Sequence, residues 1–91
     1  MKDIPPEESL IEYPSDFPIK VMGKAHPDFA QVLTEVVQRY DPGFDPDTVE
    51  MRASKAGNYL SVTFTVRATS REQLDELYRS LHGHPMVSIV L

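Results

Sequence analysis

The chain has 91 residues, which is enough for one domain with one hydrophobic core. Its hydrophobic fraction of 41% and charged fraction of 25% are typical of a soluble globular protein, and it has no run of about 20 apolar residues that could span a membrane. It has no cysteine, which excludes disulfides, thiolate metal ligands and a cysteine nucleophile, and its formal net charge of −5 argues against electrostatic binding of nucleic acid.

The first 15 residues contain three prolines and several acids, which predicts a flexible leader followed by a single domain at residues 16–91. The acidic start of the chain lacks the apolar core of a secretory signal, so we expect a cytoplasmic protein.

The segment after the leader predicts a strand and then a helix. Residues 17–22 place apolar side chains at every second position, as in a strand with one buried face, and Gly23 is expected to end it. Pro27 suits the first turn of a helix. Apolar residues then recur at helical spacing until residues 41–43, Asp-Pro-Gly, stop the helix. The expected buried stripe is Phe29, Val32, Leu33, Val36, Val37 and Tyr40.

A β-hairpin is predicted next. Residues 48–54 and 58–67 both alternate between apolar and polar side chains, and residues 55–58 form the turn between them. The second strand has the strictest alternation in the chain, with hydroxyl-bearing residues on its polar side. The residues expected to point inward from the first strand are Val49, Met51 and Ala53.

The last two elements are a helix and a strand. Thr69 and Ser70 each precede a Glu or Gln by three residues, which gives overlapping capping boxes at a helix start. Gly83 is the expected helix end, and residues 85–91 are an apolar final strand. The stripe of this helix is Leu74, Leu77, Tyr78 and Leu81.

The order βαββαβ predicts an α+β fold, a ferredoxin-like two-layer sandwich. Right-handed crossovers place both helices on one face of a four-stranded antiparallel sheet with strand order 4-1-3-2. The other face of such a sheet is available to water, a ligand or another protein.

Four segments of the chain form a recognisable pattern, namely Phe17 to Gly23, Gly57-Asn58-Tyr59 with Ser61-Val62-Thr63, Leu77-Tyr78 with Leu81, and Val87 to Leu91. Through these segments the chain resembles, from about Tyr13 to Leu91, the YbeD-like family of small bacterial proteins of unknown function. The resemblance implies a ferredoxin-like fold similar to ACT regulatory domains, which bind small ligands such as amino acids and usually work as pairs. It implies no established activity. The chain departs from the family in having Ala56, and not a basic residue, directly before Gly57, which puts a role of that charge in contacting an anion in doubt.

The loop between the first strand and the first helix is one candidate site. In ACT domains this loop cradles the ligand, and the N–H groups at a helix start favour a carboxylate. The acidic residue followed by Pro-Gly that is typical of ACT ligand loops is absent here. The candidate residues for a small anionic metabolite are Lys20, Gly23, Lys24, His26 and Asp28.

The polar face of the sheet is the second candidate, for a protein partner or, as the alternative, for RNA. RNA-binding sheets stack bases on strand aromatics, and Tyr59 has that position, although its neighbours on the face carry hydroxyls. The candidate residues of this face are Arg52, Lys55, Tyr59, Ser61, Thr63 and Arg67. The apolar edge of the last strand also makes a homodimer an option.

Catalytic and metal-binding sets are not predicted. The acids are scattered, no serine has a placed base, and His82 and His84 lack further ligands for a metal. We therefore expect a non-enzymatic regulatory or adaptor domain without a cofactor, which binds a small anionic metabolite or a protein. The alternative is an RNA-binding module that uses the polar sheet face.

Overall fold

The computed structural model describes residues 12–91. Its elements are β1 (Ser15–Lys24), α1 (Phe29–Tyr40), β2 (Glu50–Ala53), β3 (Tyr59–Ala68), α2 (Arg71–His82) and β4 (Ile89–Val90), with a 3-10 turn at Pro46–Thr48. The strands form one antiparallel sheet in the order β2-β3-β1-β4. The predicted βαββαβ fold and the 4-1-3-2 strand order are confirmed.

Most of the predicted leader lies outside the described residues. Tyr13 packs against the core and Ser15 begins β1. Within residues 12–91 we find no helix that is long and apolar enough to cross a membrane.

The centre of the sheet is the long pair of β1 and β3. Their ten residues each are in register from Ser15 opposite Ala68 to Lys24 opposite Tyr59. Burial alternates along both strands, because one side chain in two points to the helices. The fully buried large side chains are Phe29, Phe64, Ile19, Leu33, Leu77, Leu81, Val21, Val37, Val62 and Val66.

The first helix has the predicted stripe, but it starts later than predicted. Four stripe residues are buried, and Val32 and Tyr40 lie at its margin. Pro27 and Asp28 form a turn before the helix, because the N–H of Phe29 donates to the carbonyl of His26 (3.1 Å). The prediction that Pro27 lies in the first helical turn is therefore wrong.

The start of α2 confirms the predicted cap at Ser70 and adds contacts that the sequence did not reveal. Ser70 Oγ accepts a hydrogen bond from the N–H of Gln73 (3.1 Å). Gln73 Oε1 accepts a hydrogen bond from the N–H of Thr69 (2.6 Å). Gln73 Nε2 donates to the carbonyls of Tyr40 (2.7 Å) and Arg67 (3.1 Å). One amide thus joins the end of α1, the end of β3 and the start of α2.

Replacing Gln73 by alanine is expected to lower the free energy of unfolding by about 1–3 kcal/mol, because it leaves backbone groups of three segments without their partner. Urea denaturation measures the change. The matched control is Gln31→Ala on the exposed side of α1, which we expect to shift stability by no more than about 0.5 kcal/mol. Equal losses from the two substitutions would show that the Gln73 contacts contribute nothing specific.

β1 is longer than predicted, and Gly23 lies inside it. A Cβ built on Gly23 would overlap the Met86 carbonyl oxygen and come within 2.7 Å of the Phe29 ring. Gly23 therefore lets the loop before β4 and the start of α1 approach β1, and the prediction that it ends the strand is wrong.

β2 is shorter than predicted, and its apolar residues are exposed. Met51 and Ala53 lie opposite Val62 and Leu60 and so point to the helix side of the sheet, as predicted. Both are nevertheless exposed, as are all four residues of β2, which lies at one edge of the sheet. The prediction that Met51 and Ala53 contribute to the core is wrong, whereas Val49 does pack against it.

β4 is also shorter than predicted. Residues 85 and 86 form a turn, and the N–H of Val87 donates to the carbonyl of His84 (3.0 Å). Only Ile89–Val90 has strand geometry, with Leu91 bonded to the backbone of Lys20 in both directions (2.8 and 3.2 Å).

Candidate functional site

The sheet surface opposite the helices, which we call the open face, consists of alternate residues from all four strands. The register gives two complete rows across it. One row is Arg52, Ser61, Met22 and Ile89, and the other is Glu50, Thr63, Lys20 and Leu91. Hydroxyl groups of β3 therefore lie between the charged side chains of β2 and the mixed side chains of β1, Lys20 and Met22, and apolar side chains occupy the β4 edge.

Positive charge predominates on the open face, although the whole chain has a net charge of −5. Its cations are Lys20, Lys24, Arg52 and Arg67, and its carboxylates are Asp16 and Glu50. Arg67 pairs with Asp16 (3.3 Å between Nη1 and Oδ1). In the part of the chain that the structure describes, Lys20, Lys24 and Arg52 make no ion pair. With respect to the described residues, these three cations are available to a partner's carboxylates.

The open face also holds most of the exposed large apolar side chains of residues 12–91. Leu91 is 64% exposed, Tyr59 51% and Ile89 49%. Met22 is half-buried and lies in the same row as Ile89. An apolar strip at β4 therefore adjoins the cations, a combination that is typical of interaction surfaces.

A shallow depression of about 180 Å³ marks the β2 side of the open face. Its lining comes from Lys20, Glu50, Met51, Arg52, Ser61 and Thr63. The depression is polar and open, so it suits a carboxylate side chain that approaches from above the sheet.

Five of the six residues predicted for this face lie on it, namely Arg52, Tyr59, Ser61, Thr63 and Arg67. Lys55 does not, because it lies in the hairpin turn beyond the end of β2. The sequence reasoning missed Ile89 and Leu91. A short run of apolar residues shows no alternation with polar ones, so the sequence does not indicate to which face each side chain of β4 points. Only the pairing of β4 with β1 shows this.

The residues predicted for the loop site do not lie together in the structure. Lys20 lies on the open face, Gly23 is buried, and Lys24 and His26 line a separate depression of about 420 Å³ with the turn before β4. His26 Nδ1 accepts a hydrogen bond from the N–H of Asp28 (3.0 Å), and its carbonyl accepts from Phe29 (3.1 Å). Two N–H groups that could bind an anion are therefore occupied, and Asp28 adds a carboxylate beside them.

Both histidines near the end of α2 have contacts within the fold. His84 Nδ1 accepts a hydrogen bond from the N–H of Met86 (3.1 Å), and His82 stacks on Tyr78 with 6.3 Å between ring centroids. Burial raises the pKa of Tyr78, whose ring also packs edge-on against Phe17. Residues 12–91 contain no group of three or more side chains placed to hold a metal ion.

Comparison with known proteins identifies relatives along the whole chain. Residues 8–91 match the family described as "Protein of unknown function (DUF493)". A UPF0250 protein of Bordetella pertussis is 82% identical over 91 residues, which cover both chains completely. A UPF0250 protein of Leptothrix cholodnii is 66% identical over the same length, and one of Ralstonia nicotianae is 64% identical over 87 residues, which are 96% of this chain and 90% of the relative.

Two solved structures share the fold. Protein HP0495 of Helicobacter pylori matches with a TM-score of 0.71 at 14% identity, over 100% of this chain and 96% of that one. The ACT domain from GTP pyrophosphokinase of Chlorobium tepidum matches with a TM-score of 0.62 at 17% identity, over 84% of each chain. At these identities the likeness shows the fold alone. The chain therefore belongs to the DUF493 (UPF0250) family of unknown function, the YbeD-like family that its motifs resemble, and it has an ACT-like α+β fold.

Proposed function

We propose that this protein is a non-enzymatic regulatory or adaptor domain that binds a protein partner through the open face. The observation that carries the proposal is that the open face combines Lys20, Lys24 and Arg52, which make no ion pair within residues 12–91, with the exposed apolar side chains of Ile89 and Leu91. The partner that fits this surface presents carboxylates next to apolar side chains.

The chemistry of the surface supports such a partner. Exposed apolar patches mark interaction sites, because covering Ile89 and Leu91 removes their side chains from water. The cations at Lys20 and Arg52 add selectivity for an acidic segment and speed its association. The hydroxyl-bearing side chains between them are short, so a partner's backbone can approach the sheet closely.

Binding of a small anionic metabolite at the loop before α1 is less well supported than binding of a protein at the open face. The N–H groups of Asp28 and Phe29 are bonded to His26, and the carboxylate of Asp28 repels an anion. An ACT-like fold alone does not choose between the two sites, since the same fold hosts different functions.

The proposal is tested with peptides selected from a random peptide library for binding to the wild-type protein. We expect the selected peptides to be rich in Asp and Glu beside Leu, Ile or Phe. The double substitution Lys20→Glu and Arg52→Glu is expected to weaken their binding about tenfold or more, since it replaces two attractions by two repulsions. Calorimetric titration measures the affinities, and Arg39→Glu on exposed α1 is the matched charge reversal that should leave them unchanged.

Three outcomes contradict the proposal. One is that no peptide is selected, and another is that the double substitution and Arg39→Glu have equal effects. The third comes from a parallel titration with mixed-sequence oligoribonucleotides at low salt. If these move the NMR signals of Tyr59 and Arg67 whereas acidic peptides move none on the open face, the face binds RNA and the protein-partner proposal fails.

A further inference from the structure

The outer edge of β2 supports an inference that does not depend on the proposed function. Among residues 12–91, β2 pairs with β3 alone, and all four residues of β2 are exposed. Outward N–H and C=O groups on such an edge can pair with another strand. We propose that two copies of this protein pair through β2, antiparallel and about a two-fold axis at Met51.

The backbone of β2 presents the groups that this pairing needs. The N–H of Ser54 donates to the carbonyl of Tyr59 (2.9 Å), so the polar groups of Ser54 point to β3. Alternation along an antiparallel ladder then directs the polar groups of Arg52 to β3 as well, and those of Met51 and Ala53 outward.

With the two-fold axis at Met51, the outward N–H and C=O groups of the two β2 strands lie opposite each other as donors and acceptors. The two Met51 residues exchange N–H···O bonds, and the N–H of each Ala53 reaches the carbonyl of Val49 in the second copy. The N–H of Val49 already donates to the carbonyl of Pro46 (3.2 Å), so only the carbonyl of Val49 takes part.

Charge selects this register over its neighbours. Glu50 and Arg52 lie on the open face, opposite Thr63 and Ser61 of β3. With the axis at Met51, Glu50 lies opposite Arg52 of the second copy, and symmetry repeats the contact. An axis at position 52 or 50 would instead place Arg52 opposite Arg52 or Glu50 opposite Glu50, and like charges directly opposite are destabilising.

The pairing also accounts for the exposure of Met51. This side chain is 59% exposed on the helix side of the sheet, at the edge that β2 forms. In the pair it packs against Met51 of the second copy. Both open faces then form one continuous surface, with the depression beside Glu50 and Arg52 at the seam.

Sedimentation equilibrium up to about 1 mM protein tests the proposal by charge exchange. We expect the wild type to dimerise with rising concentration. Glu50→Arg or Arg52→Glu alone should weaken the dimer about tenfold or more, because each places like charges opposite each other twice. The double variant E50R/R52E should dimerise again, and an equimolar mixture of the two single variants should form a mixed dimer. Glu35→Arg on exposed α1 is the control and should not change dimerisation.

The charge exchange between positions 50 and 52 distinguishes the proposed register from other modes of dimerisation. NMR spectra of each variant establish that it is folded, which the exposure of both positions favours. A wild type that stays monomeric at about 1 mM overturns the proposal. So does a dimer that either single variant leaves unchanged, or single variants that the double substitution and the mixture do not rescue.

Discussion

Replacing Phe64 by alanine is expected to lower the free energy of unfolding by about 3–5 kcal/mol. Phe64 is fully buried at the middle of β3, and its ring lies 5.8 Å from that of Phe44. Truncation removes apolar area from the core and leaves a cavity that the surrounding sheet and helices cannot fill. For a domain stable by about 5–13 kcal/mol, this is a large share of the total.

The matched control for Phe64 lies on the same strand. Tyr59 is also aromatic, but it points to the open face and is half exposed. Tyr59→Ala is expected to cost no more than about 1 kcal/mol. Thermal and urea denaturation of the two variants measure the difference, and equal losses would contradict the assignment of the two faces of β3.

Replacing Gly23 by alanine is expected to lower the free energy of unfolding by about 2–3 kcal/mol. The added methyl group would overlap the carbonyl oxygen of Met86 and the ring of Phe29, so β1 or the loop before β4 must move. The effect is one of overpacking, since the structure records a positive φ only for Gly57 among the described glycines.

Gly43→Ala provides the matched control for Gly23. A Cβ on Gly43 would lie 3.9 Å from Asp41 Oδ1, which is ordinary van der Waals contact. We expect its stability to stay within about 0.5 kcal/mol of the wild type, or to rise slightly because alanine restricts the unfolded chain. If Gly23→Ala is equally well tolerated, the close approach at β1 is not a constraint on the fold.

The elements that could be predicted from the sequence are those with long periodic patterns. In β3 the alternation of apolar and polar residues extends over the whole strand, and in both helices the apolar stripe extends over several turns. The residues that these patterns predict to be buried are therefore buried at many positions. The fold and the strand order followed from these elements and the right-handedness of crossovers.

The elements that could not be predicted depend on tertiary contacts. Met51 has the spacing of a core residue, and its exposure follows only from the position of β2 at the edge of the sheet. The bonds of His26 to the start of α1 and of Gln73 to three segments likewise involve side chains whose type allows many partners. The sequence therefore predicted the open face better than the loop.

The loop and the open face illustrate this difference. The alternation of apolar and polar residues in β3 was enough to predict that Tyr59, Ser61 and Thr63 lie on one face, and the structure confirms it. No periodic pattern extends over the loop before α1. For that reason the candidate set there combined Lys20 on the open face with Gly23 in the core.

The central claim, that the open face is the binding surface, is tested most directly by intermolecular NOEs. The protein is labelled at the methyl groups of Met, Ile and Leu and mixed with an unlabelled acidic peptide from the library selection. We predict NOEs from the peptide to the methyl groups of Met22, Ile89 and Leu91. NOEs confined to the methyl groups of the helices or of Met86, which lines the depression beside the loop before α1, would contradict the account.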